Sequence, residues 1–308
     1  MNALVEFPLL APISNLNQID VEFDAGSSTL YWWMRPAGRP CFNAEFLAEV
    51  NDFEGALERH QGWIAHEGQA RQVKTMVFGS RVPGVFNLGG DMSMFIQAIL
   101  RKDRRSLDAY GRLCVENMFR RVAGFNCEIT TFSLVQGRAF GGGFECALSS
   151  DVIVAERSAT FSLPEVLFNM FPGMGAVSLL ARRIGLSKAD DLVMSGQVYS
   201  AKEMKDLGVV DELVEDGQGR AAIDQIINQR ARRTNSYRAM AAAKRYYMPL
   251  HLEELVKIVG VWVDAAMRLE TRDLRMMARL VKAQDRMLEN GARSNVEELY
   301  PSLVAANA

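Results

Sequence analysis

The segment VQGRAFGGGFE, residues 135–145, constrains the fold more than any other part of the chain. It follows a β-prone run, residues 129–135, and contains three consecutive glycines, residues 141–143. Because glycine has no side chain, such a run lets the backbone approach another group closely and turn sharply. A strand, a glycine-rich turn and a helix in this order place backbone amides at the helix N-terminus. The segment therefore predicts a strand-turn-helix unit that also carries the carboxylate of Glu145.

The rest of the chain alternates between β-prone and helical patterns up to about residue 220 and is helical beyond it. Further strands are predicted at residues 30–34, 75–79, 152–155 and 160–162. Helices are predicted at residues 46–59, 176–184, 221–233, 236–247 and 252–289. We therefore expect an α/β core over residues 1–218, including an N-terminal extension, and a C-terminal helical subdomain over residues 219–308.

The composition argues against several classes of function. Hydrophobic residues make up 49% and charged residues 23% of the chain, which is enough apolar material for a sizeable core. The formal net charge of -2 gives no electrostatic reason to bind nucleic acid or an anionic membrane. The first sixteen residues are mildly apolar, but they are broken by Pro8 and Pro12 and are too short to span a bilayer. We expect no nucleic-acid or membrane partner.

The cysteines and histidines indicate no metal site. Four cysteines are scattered without a CxxC spacing, which is typical of free thiols in a reducing compartment, so we expect a cytoplasmic protein. The three histidines lie at no recognised metal-ligand spacing. The sequence therefore predicts neither a metal nor another cofactor.

Two further turns accompany the glycine run. Residues 162–165 read SLPE and lead into FPGMG at residues 171–175, and NLGGD at residues 87–91 is a glycine turn after a strand. Each feature alone is compatible with an ordinary turn or a solvated glutamate. Together they provide backbone N–H donors for a negatively charged oxygen and carboxylates, Glu145 and Glu165, that can move protons. Chemistry at an acyl thioester requires both.

These segments resemble the crotonase, or enoyl-CoA hydratase/isomerase, superfamily. The matching segments occur in the family's order, within about residues 20–290: residues 87–91, 136–145, 163–175 and 208–214. The resemblance implies a β-β-α superhelical spiral core. It also implies that Glu145 and Glu165 are the catalytic carboxylates and that the backbone N–H groups of Gly90 and Gly142 form an oxyanion hole.

Four longer stretches resemble the bacterial diffusible signal factor synthases: RPCF at residues 39–42, VFNLGGD at residues 85–91, LPEVLF at residues 163–168 and WVD at residues 262–264. Such enzymes dehydrate a 3-hydroxyacyl chain on acyl carrier protein to a cis-2-enoyl thioester and then hydrolyse the thioester. The product is an unsaturated fatty acid that serves as a quorum-sensing signal. The resemblance implies this activity, with acyl carrier protein and the receiver domain of a sensor kinase as partners and a homotrimer by superfamily analogy.

A fatty acyl chain would require an apolar tunnel. Candidate lining residues near the glutamates and on the C-terminal helices are Phe144, Met170, Phe171, Trp262 and Leu280. Apolar residues at helical spacing more often belong to an ordinary core. The basic run at residues 101–105 is compatible with docking of an acidic carrier protein and with a solvated helix face.

Two other functions remain open on the sequence. One is an ordinary enoyl-CoA hydratase or isomerase of fatty acid metabolism, which would keep the thioester. The other is a non-catalytic interaction module of the same fold, against which the retained glutamates and glycine turns argue. The carrier of the substrate and the fate of the thioester separate these hypotheses.

Overall fold

The computed structural model describes residues 16–289. Its strands are β1 (Ile19–Asp24), β2 (Thr29–Met34), β3 (Trp63–His66), β4 (Gln69–Gln72), β5 (Thr75–Ser80), β6 (Val85–Asn87), β7 (Thr130–Val135), β8 (Arg138–Phe140), β9 (Val152–Glu156), β10 (Thr160–Ser162), β11 (Val198–Ser200) and β12 (Glu212–Val214). Its helices are α1 (Ala44–Arg59), α2 (Met92–Leu100), α3 (Arg104–Val122), α4 (Gly142–Leu148), α5 (Ala176–Ile184), α6 (Leu186–Ser195), α7 (Ala201–Leu207), α8 (Gly219–Ala231), α9 (Thr234–Tyr247), α10 (Leu252–Ala266) and α11 (Thr271–Glu289).

Two main sheets form a spiral. The larger sheet has the order β1-β2-β5-β7-β9-β12 and the smaller one the order β11-β10-β8-β6. Strands β5, β7 and β9 lie side by side in this order in the larger sheet. The strands that follow them in the chain, β6, β8 and β10, lie side by side in the same order in the smaller sheet. Each unit therefore adds one strand to each sheet and then a helical segment, which confirms the predicted β-β-α superhelical core.

The central strands of the larger sheet are buried on both faces. All six residues of β2 are buried, and successive side chains point to opposite sides, as the strand period requires. Trp32 packs with Phe78 in the main core, whereas Tyr31 and Trp33 belong to a second cluster. Ile223 of α8 is buried in that second cluster, so α8 covers the outer face of the sheet.

The predicted strands are all present, with ends that agree to within about one residue. The predicted single helix at residues 252–289 is wrong, because α10 ends at Ala266 and α11 begins at Thr271. The break contains neither glycine nor proline. The buried Asp273 carboxylate accepts the N–H of Glu270 at 2.9 Å, so the interruption is capped locally. It lets α10 pack on α3 while α11 packs on α2.

The boundary between a core and a C-terminal subdomain at residues 218–219 stays a prediction. Residues 1–15 of the expected N-terminal extension and residues 290–308 of the expected subdomain lie outside the described residues.

We predict that Gly143→Ala destabilises the fold by roughly 3 kcal/mol or more, measured by urea unfolding. A Cβ atom on Gly143 would lie 2.1 Å from the backbone oxygen of Asn87, where neither partner can move freely. Gly260→Ala is the matched control, because it lies within α10 and an added Cβ would contact nothing within 4 Å. There alanine should be neutral or stabilise by up to about 1 kcal/mol. Equal effects at the two positions would contradict the close approach of α4 to β6.

Candidate active site

Glu145 lies in the first turn of α4 and is 2% exposed. One carboxylate oxygen, Oε1, accepts two backbone hydrogen bonds, from Met174 N–H at 2.9 Å and Ala176 N–H at 3.1 Å. Both donors belong to the turn that opens α5, where Gly175 has a φ of +118° that favours glycine. The FPGMG turn at residues 171–175 therefore serves to hold this carboxylate.

Glu165 lies in a 3₁₀ turn, Pro164–Phe168, that follows β10. Its Oε2 atom is buried and has no hydrogen-bond partner among the described residues. Its Oε1 atom lies 2.7 Å from the position that a Cβ on Gly141 would occupy. A side chain at residue 141 would therefore displace the carboxylate, which explains why the glycine run begins there.

Burial raises the pKa of both glutamates. The backbone donors from Ala176 and Met174 oppose this effect at Glu145, whereas the negative charge of Glu145 raises the pKa of Glu165 further. Within residues 16–289 neither carboxylate forms an ion pair. Since like charges in one apolar site cannot both form easily, the pair holds a proton near neutral pH, and Glu165 is the preferred carrier.

The two predicted oxyanion amides come from turns that touch each other. Gly90 follows β6, and Gly142 is the first residue of α4. A Cβ on Gly142 would lie 3.5 Å from the Gly90 nitrogen, and a Cβ on Gly89 would lie 2.9 Å from the Gly142 nitrogen. The described part of the chain offers no acceptor to either N–H. Two unengaged donors beside two buried carboxyl groups can stabilise negative charge on a carbonyl oxygen.

These groups line a mostly apolar cavity of about 80 Å³. Gly90, Gly142, Glu145 and Glu165 all contribute to its wall. The cavity is walled by α1, α2, α3, α10 and α11, and its side chains include Phe42, Leu47, Val50, Met92, Phe95, Ile99, Met118, Phe168, Met174, Ala266, Leu269 and Met277. The apolar lining suits an alkyl chain.

Three of the five predicted pocket residues, Met170, Trp262 and Leu280, line this cavity. Phe144 does not: it is fully buried in the core, where its ring contacts the Phe161 ring edge-on at 5.1 Å. Phe144 lies about 100° around α4 from Glu145, and its side chain faces the core. Phe171 is also outside the lining and packs, half-buried, against the main core.

Sequence reasoning missed the contribution of α3. Its residues Tyr110, Cys114, Asn117, Met118 and Arg121 line one side of the cavity at the spacing of a single helix face. That periodicity is visible in the sequence, but it does not say which buried face meets a cavity rather than the core.

Arg121 is the cation among the described lining residues, and it does not neutralise the two glutamates. Its Nε donates to Glu54 Oε1 at 2.7 Å, and both side chains are almost completely buried. The guanidinium also lies over the Phe78 ring, 5.0 Å from its centroid. The Glu54 carboxylate therefore already compensates this charge.

Residues 16–289 show neither a metal-binding cluster nor a membrane-spanning helix. No cluster of three or more His, Cys, Asp or Glu side chains could hold a metal ion. No helix in that range is long and apolar enough to cross a membrane.

A family model described as enoyl-CoA hydratase/isomerase matches residues 42–261. Human mitochondrial methylglutaconyl-CoA hydratase is 32% identical over 150 residues, 48% of this chain and 42% of that protein. The mitochondrial enoyl-CoA hydratase domain-containing protein 2 of Bos taurus is 32% identical over 195 residues, 61% of this chain and 58% of that protein. This chain thus spans about half the length of the curated relatives it matches.

Solved structures show the same fold at low sequence identity. Human mitochondrial delta3-delta2-enoyl-CoA isomerase has a TM-score of 0.70 at 18% identity, covering 89% of this chain and 99% of that one. Enoyl-CoA hydratase from Bacillus halodurans has a TM-score of 0.65 at 20% identity, covering 85% of this chain and 99% of that one.

We predict that Glu165→Gln gains stability over the wild type as the pH rises. The pKa of Glu165 is raised in the folded state above the unfolded value of about 4.3, so its stabilising contribution is complete below that value and is lost at higher pH. Glutamine resembles the protonated acid and does not titrate. The variant-minus-wild-type difference in unfolding free energy should therefore grow by roughly 1 kcal/mol or more between pH 5.5 and pH 8.5.

The matched control is Glu212→Gln, at the exposed first residue of strand β12. The difference in unfolding free energy between this variant and the wild type should change much less over the same pH range. A Glu165→Gln difference that is equally flat would mean that Glu165 ionises normally in the folded protein.

Proposed function

The chain belongs to the enoyl-CoA hydratase/isomerase family, and from this premise we propose that it adds water to, or removes water from, the α and β carbons of an acyl thioester. The observation that carries the proposal is the meeting of two buried carboxyl groups with two unengaged backbone amides at one wall of an apolar cavity. The amides stabilise the enolate oxygen, and the carboxyl groups move the protons.

In the hydration direction the roles follow from the surroundings of each glutamate. Glu145, whose carboxylate is held by two N–H donors, takes a proton from water as the water oxygen bonds to the β carbon. Glu165, which carries the shared proton, delivers it to the α carbon. The C=C bond becomes a single bond, and negative charge on the thioester oxygen rests between the Gly90 and Gly142 amides. Dehydration follows the same path in reverse.

We predict that Glu145→Gln and Glu165→Gln each lower kcat for hydration of a trans-2-enoyl-CoA by about 10²-fold or more. Glutamine keeps the shape of the side chain but can neither accept nor release a proton. The reaction can be followed by loss of the enoyl absorbance, with Glu212→Gln as a control at normal activity. Near-normal turnover by both site variants would exclude two-carboxyl acid-base catalysis.

The finer proposal concerns the substrate and the product. We propose that the enzyme makes a cis-2-unsaturated fatty acid signal from a 3-hydroxyacyl chain on acyl carrier protein. All four stretches that resemble diffusible signal factor synthases contribute to the cavity wall, through Phe42, Leu88, Glu165 and Trp262 among others. The resemblance is thus concentrated where the acyl chain would bind.

Such a synthase performs a second step at the same amides. After dehydration, a glutamate takes a proton from water while the water oxygen bonds to the thioester carbonyl carbon. The resulting oxyanion lies between Gly90 and Gly142 N–H. Its collapse breaks the C–S bond, and the protonated glutamate returns the proton to the departing thiolate, so that free acid and carrier thiol leave.

We predict that purified protein releases free cis-2-dodecenoic acid from 3-hydroxydodecanoyl acyl carrier protein, and less from the CoA thioester. Mass spectrometry identifies free acid against intact thioester, and chromatography identifies the double-bond geometry. A trans-2-enoyl thioester that stays intact would overturn the synthase proposal and leave the ordinary hydratase. Tight binding of both substrates without any turnover would instead favour the non-catalytic module.

Location and assembly are proposals of the same kind. The four cysteines are unpaired, which supports a reducing compartment such as the cytoplasm. In the basic run, Arg104 pairs with Asp264 of α10, and its neighbours in the α2–α3 turn are exposed, which is compatible with docking of the carrier protein. The receiver-domain partner and the homotrimer stay predictions.

A further inference from the structure

The position of the Gly90 amide depends on a short pairing with the segment at residues 40–42. Leu88 N–H donates to the Pro40 oxygen at 2.8 Å, and Phe42 N–H donates to the Gly89 oxygen at 2.7 Å. Phe42 and Gly90 form an isolated parallel bridge. The donors in this pairing are the N–H groups of Leu88 and Phe42, so the Gly90 N–H forms no backbone hydrogen bond among the described residues. Where Phe42 lies therefore determines where that N–H points.

Tyr110 of α3 holds Phe42 in place. Its hydroxyl donates to the Phe42 backbone oxygen at 2.7 Å, and the side chain is 6% exposed. The backbone N–H of Asp91 also interacts with this hydroxyl oxygen. A Cβ on Gly90 would lie only 3.3 Å from it. One hydroxyl group thus contacts the backbone on both sides of the bridge that carries the Gly90 amide.

The ring of Tyr110 is itself fixed from the other side. Phe95 of α2 packs edge-on against it, with ring centroids 5.0 Å apart. The same Phe95 ring lies 2.6 Å from the position of a Cβ on Gly90. The Phe95 and Trp262 rings are also in edge-on contact, with centroids 5.2 Å apart, so the row of aromatic rings continues into the cavity wall. A packed aromatic ring whose hydroxyl is also hydrogen-bonded has little freedom to shift.

We propose that Tyr110 is a positioning residue for the oxyanion hole. Its hydroxyl holds Phe42, and through Phe42 the Gly90 N–H, where that N–H can polarise a thioester carbonyl. The inference rests on the proposed function, since the Gly90 amide has this role only if a thioester binds there. Although Tyr110 lines the cavity, its hydroxyl proton is committed to the backbone, so the residue acts through Gly90 and does not donate to substrate.

The test is Tyr110→Phe, which removes the hydroxyl and keeps the ring. We expect kcat for hydration of a trans-2-enoyl-CoA to fall about 10- to 100-fold, with KM within about twofold, because a small misplacement of a stabilising donor acts mainly on the transition state. Isotope-edited infrared spectroscopy of the bound enoyl thioester provides a second readout. In the wild type its carbonyl frequency should be lowered by the two amides, and in Tyr110→Phe it should return part of the way to the solution value.

The matched control is Tyr31→Phe, which also removes a tyrosine hydroxyl from a hydrogen bond. Tyr31 donates to Asp224 at 2.5 Å on the outer side of the larger sheet, away from the cavity. Both variants should lose some thermal stability, but Tyr31→Phe should keep the wild-type kcat and carbonyl frequency.

The outcomes separate the two proposals. If the wild type turns over the thioester and lowers its carbonyl frequency while Tyr110→Phe matches it in both, the role of Tyr110 is wrong and the proposed function stands. If the wild type neither turns over the thioester nor shifts its carbonyl frequency, the proposed function fails, and this inference fails with it.

Discussion

The rest of the site depends on two carboxyl groups sharing an apolar cavity without a cation to balance them. Glu54 shows the alternative within the same protein, since it is equally buried but is paired with Arg121 at 2.7 Å. Glu145 receives only two backbone N–H donors, and Glu165 leaves one oxygen unpartnered. Deprived of counter-charge, the pair retains a proton at a pH where an exposed glutamate has lost it. Burying these carboxyl groups without a counter-charge lowers the free energy of unfolding.

The spiral brings these groups together by repetition. The smaller sheet holds β6, β8 and β10 side by side in parallel, and each strand ends at the site. The first is followed by Gly90, the second by Gly142 and Glu145, and the third by Glu165. Groups separated by up to 75 residues in the chain thus converge because equivalent strand ends are neighbours. Loops at the carboxyl ends of parallel strands are common places for ligand sites.

The strands and the glycine turns could be predicted from the sequence because they are local signals, whereas the meeting of these groups at one site is implied only by the family resemblance. Gly141 and Gly143 mark positions where another group approaches too closely for a side chain. The roles of α3 and of Phe42 could not be predicted, since they depend on which buried faces meet across the fold. The exclusion of Phe144 from the cavity and the break before α11 have the same origin. A local sequence pattern predicts which residues are buried, but the packing of the whole fold determines which element or cavity each buried residue contacts.

Trp262 links the size of the cavity to the chemistry of Glu145. Its side chain packs against Gly173, where a Cβ would lie 2.4 Å from the indole. The next residue, Met174, donates one of the two N–H groups that hold the Glu145 carboxylate. Replacing this tryptophan by a smaller residue to enlarge the cavity would therefore also loosen the support of the Glu145 carboxylate. The volume of the cavity and the proton affinity of Glu145 are therefore linked. A smaller residue at position 262 would need a compensating change in the turn at residues 172–175.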